Sequence, residues 1–183
     1  MIKKVNAILS LLTFTLLVIH VGYLTVSYLL FFYNPIATAV TGLSLEAAFI
    51  LHAILSAISV FGAHDSRTIA YKKMNIATVL QRITAVMMIV LLPIHISFSN
   101  LLNGEGTPRQ AFYIFIAVQL LFYGSIFTHV AVSFSKALIS LGWLQDDDKR
   151  RKIDRTAAVI CAVLFVIVGA ILSIVQLIII SKL

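Results

Sequence analysis

Four histidines, His20, His52, His95 and His129, fall one each within four successive long apolar runs, while a fifth run has none. An ionisable side chain is costly in hydrocarbon, so each marks a functional position with a partner to be found. A single such imidazole is accounted for by a hydrogen bond between packed helices. Four of them, one per consecutive run, point instead to a shared centre. Imidazole is an axial ligand of haem iron, and helix bundles hold such cofactors with side chains from facing helices. The stretch Val79-Leu80-Gln81-Arg82-Ile83-Thr84-Ala85, running on through Met87 and Pro93 to His95, organises the pattern. It sets a polar, charged rim about 20 Å along a helix from a deep imidazole.

The runs that must position these residues are membrane spans. The chain has 183 residues, of which 61% are apolar and 11% charged, with a mean hydropathy of +1.05. A soluble domain carries about 25% charged residues. A span takes about 20 apolar residues, so the length accommodates five helices in one all-α integral membrane bundle. They are expected at 7–32, 42–63, 76–102, 109–143 and 154–180, with residues 145–152 as a solvated loop and Pro93 bending the third helix. The first four are expected to form the haem-binding core and the fifth to be peripheral. Lys3, Lys4, Arg67, Lys72, Lys73, Arg82, Lys136, Lys149, Arg150, Arg151, Lys152 and Arg155 fall on one side, against Arg109 and Lys182 on the other. This places the N-terminus in the cytoplasm and the C-terminus outside. The net charge of +7 is therefore an orientation signal, and nucleic-acid binding is not supported. The single cysteine, Cys161, excludes an intrachain disulfide and a cysteine-ligated cluster held by this chain alone.

In an up-down-up-down bundle, helices one and three lie on one diagonal and two and four on the other. His52 and His129 are both about 20 Å from the cytoplasmic end and match in depth; His20 and His95 form the second pair, nearer the outside. Two stacked bis-histidine haems b would result. Gln81, Arg82 and Lys136 at the cytoplasmic rim suit haem propionates by charge-assisted hydrogen bonds, or are polar residues snorkelling from helix ends. Small Gly22, Gly124 and Ala131 would let a ring approach the backbone, or serve ordinary helix packing. Glu46, about 9 Å outward of His52, is a candidate for a quinone site as a proton relay, or simply favours a helix N-terminus. His64 reads as a loop histidine.

The ordered set Val79-Leu80-Gln81-Arg82-Ile83-Thr84 to His95, Ser125-Ile126-Phe127-Thr128-His129 to Ser140-Leu141-Gly142-Trp143, and His52-Ala53 resembles the single-subunit, five-helix, dihaem cytochrome b anchor of succinate dehydrogenase and fumarate reductase complexes. The resemblance spans all five helices. It implies a subunit, not catalytic by itself, that passes electrons between quinone, menaquinone being expected, and an iron-sulfur subunit joined to a flavoprotein on the cytoplasmic face. It also implies the haem iron ligands His20, His52, His95 and His129, in the pairing given above. Ala85 stands where the family commonly has Gly. Phe127 stands where some members have a proton-carrying Glu, so a proton path through the fourth helix is unsupported. The alternatives are a haem b subunit of a hydrogenase or formate dehydrogenase type of enzyme, and a haem-free transporter that uses the histidines as proton carriers.

Overall fold

The computed structural model describes residues 2–61, 72–102 and 108–182. Five helices follow one another: α1 (Ile2–Leu29), α2 (Pro35–Phe61), α3 (Lys72–Leu102), α4 (Arg109–Leu141) and α5 (Asp147–Lys182). Each is long and apolar enough to cross a membrane. Helices are the natural solution there, because every backbone N–H and C=O must be paired within the segment. The outer faces of α1, α2, α3 and α5 carry exposed Val, Ile and Leu, which suits lipid and not water.

Several helix ends differ from expectation: α1 runs over Ile2–Leu29 and not 7–32, α3 begins at Lys72 and not at 76, α5 reaches Lys182 and not 180, and three further ends have a clear local reason. The second helix starts at Pro35, not near residue 42. Asn34 caps it, its Oδ1 accepting from the Ala37 N–H at 3.1 Å, and proline is well suited to the first helical position because its missing N–H is not needed there. The fourth helix stops at Leu141, two residues early, because Gly142 takes a left-handed conformation (φ 82°) and Trp143 N–H closes onto the Leu138 carbonyl at 3.0 Å. The fifth begins at Asp147, so most of the supposed loop at 145–152 is helical. Asp146 caps it through Oδ1, which accepts from the N–H groups of Asp148 and Lys149 at 2.8 and 3.0 Å. Arg150 then pairs with Asp147 and Asp154, and Arg151 with Asp148, along the helix surface. The third helix runs unbroken through Pro93. His64 lies outside the described residues.

Packing places α4 at the centre. It contacts α1, α3 and α5, while α2 packs on α1. A cluster of Met88, Phe115, Phe122, Tyr123, Ile126 and Leu172 fills the space among α3, α4 and α5. Leu172, Val175 and Gln176 are buried, so α5 is not peripheral: it lies against both α1 and α4. α5 approaches α4 closely at Gly169, where a Cβ would come within 2.9 Å of Leu120 Cδ2 and that side chain would have to shift. The α1–α2 and α3–α4 pairs meet along α1 and α4 and leave a large internal space, lined by all five helices.

Candidate functional site

That space is a cavity of about 1060 Å³, and His20, His52, His95 and His129 all line it. The imidazoles are half-buried in the bundle because they face this space and not lipid. Among the described residues, no three of His, Cys, Asp and Glu gather closely enough to hold a bare metal ion; the histidines are spread along the cavity.

Hydrogen bonds fix the tautomer of three of the four rings. His129 Nδ1 is 3.1 Å from the Gln81 main-chain carbonyl and 3.2 Å from Thr84 Oγ1. A carbonyl only accepts, so Nδ1 carries the proton. The Thr84 hydroxyl already donates to the Leu80 carbonyl at 2.7 Å, which leaves its oxygen free to accept from the ring as well. The same logic holds for His20: its Nδ1 is 3.1 Å from Thr41 Oγ1, whose proton goes to the Ala37 carbonyl at 2.8 Å. His95 Nδ1 donates to Gln119 Oε1 at 2.8 Å, and its ring lies 5.1 Å from that of Phe122, tilted by 31°. In each case Nε2 is left as the nitrogen with a lone pair, the form in which a histidine ligates iron while its other N–H is held by a neighbouring acceptor. His52 differs, because its Nδ1 is buried with no hydrogen-bond partner. A buried imidazole nitrogen without a partner is costly. Such a donor set, four cavity-lining imidazoles of which three are pre-oriented, fits axial haem ligation.

The other expected site residues separate. Gln81 and Lys136 line the cavity, and Lys136 Nζ donates to Gln81 Oε1 at 2.7 Å and to Thr78 Oγ1 at 3.5 Å. Gln81 thus holds His129 through its backbone and Lys136 through its side chain. Arg82 is exposed and does not line the cavity, because one residue along a helix turns the side chain by about 100°. Glu46 is half-buried on the cavity wall. Neither Gly22 nor Gly124 is among the cavity-lining residues, and a Cβ at Gly124 would meet Phe165 of α5; Gly42 does line the cavity, where a Cβ would lie 3.4 Å from His20 Cε1.

Several functional positions escaped the sequence reading. Thr41 and Gln119 orient two of the imidazoles, and Lys3 joins the polar end of the cavity. Gln119 is 0% exposed. A lone amide within the apolar run of the fourth helix was the available signal, since such a group is retained in a membrane helix only with a partner. Comparison with protein-family models, with curated proteins and with solved structures finds no match to this chain.

Proposed function

We propose that this chain is a membrane cytochrome b: an electron-transfer subunit that binds two haems b between pairs of histidines and serves as the membrane anchor of a succinate dehydrogenase or fumarate reductase type of complex. His52 and His129 would hold the haem nearer the cytoplasm, and His20 and His95 the outer one. The observation that carries the reading is the convergence of one imidazole from each of α1 to α4 on a single cavity, with Nδ1 of three rings tied to protein acceptors. Bound haem would supply reversible one-electron chemistry at iron. The chain's own part is to leave Nε2 of His20, His95 and His129 free for a ligand in the cavity, to exclude water with aromatic and aliphatic walls, and to offer Lys136 and Gln81 to the acidic edge of the macrocycle. An iron-sulfur subunit with its flavoprotein on the cytoplasmic side, and quinone within the membrane, complete the electron route implied by the family resemblance.

With four cavity imidazoles, two of which would hold each haem, the purified chain should carry about two haems. Substituting His52 or His129 should remove one, and substituting His20 or His95 the other. Haem quantification against protein checks this. One haem in the native chain rejects the stacked pairs, and a colourless protein rejects the cytochrome reading in favour of a haem-free transporter. Copurification with a hydrogenase or formate dehydrogenase, and not with a flavoprotein, would move the anchor to that class of enzyme.

A further inference from the structure

Three of the four cavity imidazoles are tied at Nδ1 and the fourth is not. Thr41 holds His20, Gln119 holds His95, and Thr84 together with the Gln81 carbonyl holds His129. Nδ1 of His52 is buried with no hydrogen-bond partner among the described residues. The polar groups nearest along its own helix do not help it. Asn6 Nδ2 of α1 donates to Ser56 Oγ at 3.1 Å, and Ser56 Oγ, one turn beyond His52, donates back to Asn6 Oδ1 at 3.4 Å, so that pair satisfies itself. An acceptor at Nδ1 fixes the orientation of a ligating ring and makes its Nε2 a better donor to metal, and loss of such a partner weakens metal binding by about 10- to 100-fold. Of four bonds from these rings to iron, the one from His52 is therefore the weakest. Releasing it also lets the ring turn toward the polar end of the cavity, which Lys3, Ser10 and Ser133 line, and so relieves the cost of a buried nitrogen without a partner.

We infer that His52 is a releasable ligand: a neutral diatomic molecule, carbon monoxide or nitric oxide, takes its place at the iron shared with His129, while His20 and His95 keep theirs. The exchange needs no redox partner. The bond from iron to His52 Nε2 breaks, a bond from ferrous iron to the carbon or nitrogen of the diatomic forms, and the imidazole leaves neutral with its own proton. Phe14, Leu17, Val130 and Phe134 are among the apolar residues that line the cavity, and apolar cavities admit small uncharged ligands. A charged or large ligand would meet neither the wall nor the space left by one imidazole. The consequence is an electron route that a dissolved gas interrupts at its inner station and not at its outer one. The inference rests on the haem-binding reading above and adds a ligand site to it.

The test uses the full purified chain in detergent, reduced with dithionite and titrated with carbon monoxide while the Soret band is recorded. About half of the haem absorbance should shift at low carbon monoxide, and the other half only at concentrations about 10- to 100-fold higher. Thr41→Val removes the hydroxyl that holds His20 and should lower the second step by a similar factor, so that the two steps merge. His95→Ala, once counted to hold a single haem, should show the low-concentration step alone. The inference is overturned if no haem responds, if the native chain shifts in a single step, if Thr41→Val leaves the second step in place, or if the His95→Ala chain lacks the low-concentration step. A chain without haem absorbance removes the cytochrome reading itself, whereas a chain with haem and no response to carbon monoxide removes the diatomic site alone.

Discussion

The hydrogen bonds at Nδ1 are unequal in kind, and that inequality has measurable consequences. His95 depends on a single side chain, Gln119, whereas His129 has both Thr84 and the Gln81 main chain. Removal of an outer partner of a ligating histidine costs 10- to 100-fold in metal affinity. If the chain binds haem as proposed, Gln119→Leu should therefore lower retention of the outer haem by about that factor, while Thr84→Val should leave the inner haem nearly at native occupancy because the carbonyl persists. Haem-to-protein ratios after graded detergent washing separate the two; equal losses would show that the ring orientation is set by packing and not by these bonds. The cavity histidines themselves were legible in the sequence, since their place in apolar runs needs only residue types to be seen. Their partners were not. The pairing of His95 with Gln119 depends on the register of α3 against α4, and no spacing within one helix encodes it.

At the level of the elements, the sequence marked helices well wherever an apolar run met a cluster of breakers, and poorly where a helix continued into polar residues. The start of α5 shows why. Asp146 followed by an acidic first turn and then by Arg150 and Arg151 is a capped, ion-paired helix surface, yet the same charges viewed only for hydropathy read as a loop. Asn34-Pro35 was equally double-valued, ending one helix and beginning the next. The Asp146 cap also gives α5 a pH dependence. The N–H groups of Lys149 and then Asp148 hold its carboxyl below the ordinary aspartate range. A depressed value in the folded chain means that the stabilisation is complete above the unfolded-state pKa and is lost as pH falls through the folded-state one. The amide NMR shifts of Asp148 and Lys149 should therefore titrate in acid, below the usual aspartate range, as the first turn of α5 frays. Asp146→Asn should keep the cap and abolish the titration; an unchanged acid transition in that variant would assign it to another carboxylate.

Across the whole molecule, five spans would put the two ends of the chain on opposite sides of a membrane, and on the distribution of Lys and Arg we place the α1 start, the α4–α5 turn and the start of α5 in the cytoplasm. Alkaline phosphatase fused after Leu183 should be active, as an externally placed enzyme is, and inactive when fused after residue 145. The reverse pattern would invert the bundle and with it the assignment of inner and outer histidine pairs. On the proposed anchoring role, photo-crosslinkers at 147–153 should recover a soluble partner; recovery of none would leave that segment as an orientation signal alone. The five-helix count and the shared direction of the histidines were readable from composition and run lengths. The role of α5 as a wall of the cavity was not, because its almost wholly aliphatic sequence looks the same against lipid as against α1 and α4.

The 36-residue length of α5 corresponds to about 54 Å, well beyond the roughly 30 Å of a hydrocarbon core. Its first nine residues, Asp147 to Arg155, account for about 13 Å of the excess. Spanning a membrane would therefore leave this end of the helix standing out of the bilayer as a strut. Arg155 and Lys152 lie at its foot, within reach of anionic head groups. Asp147 and Asp148, each 87% exposed at the side chain, lie at its tip, farther from the lipid surface than the Debye length of about 8 Å at physiological ionic strength. The carboxylates at the tip are thus paired with Arg150 and Arg151 one turn along the helix, while Lys152 and Arg155 stand nearest the lipid.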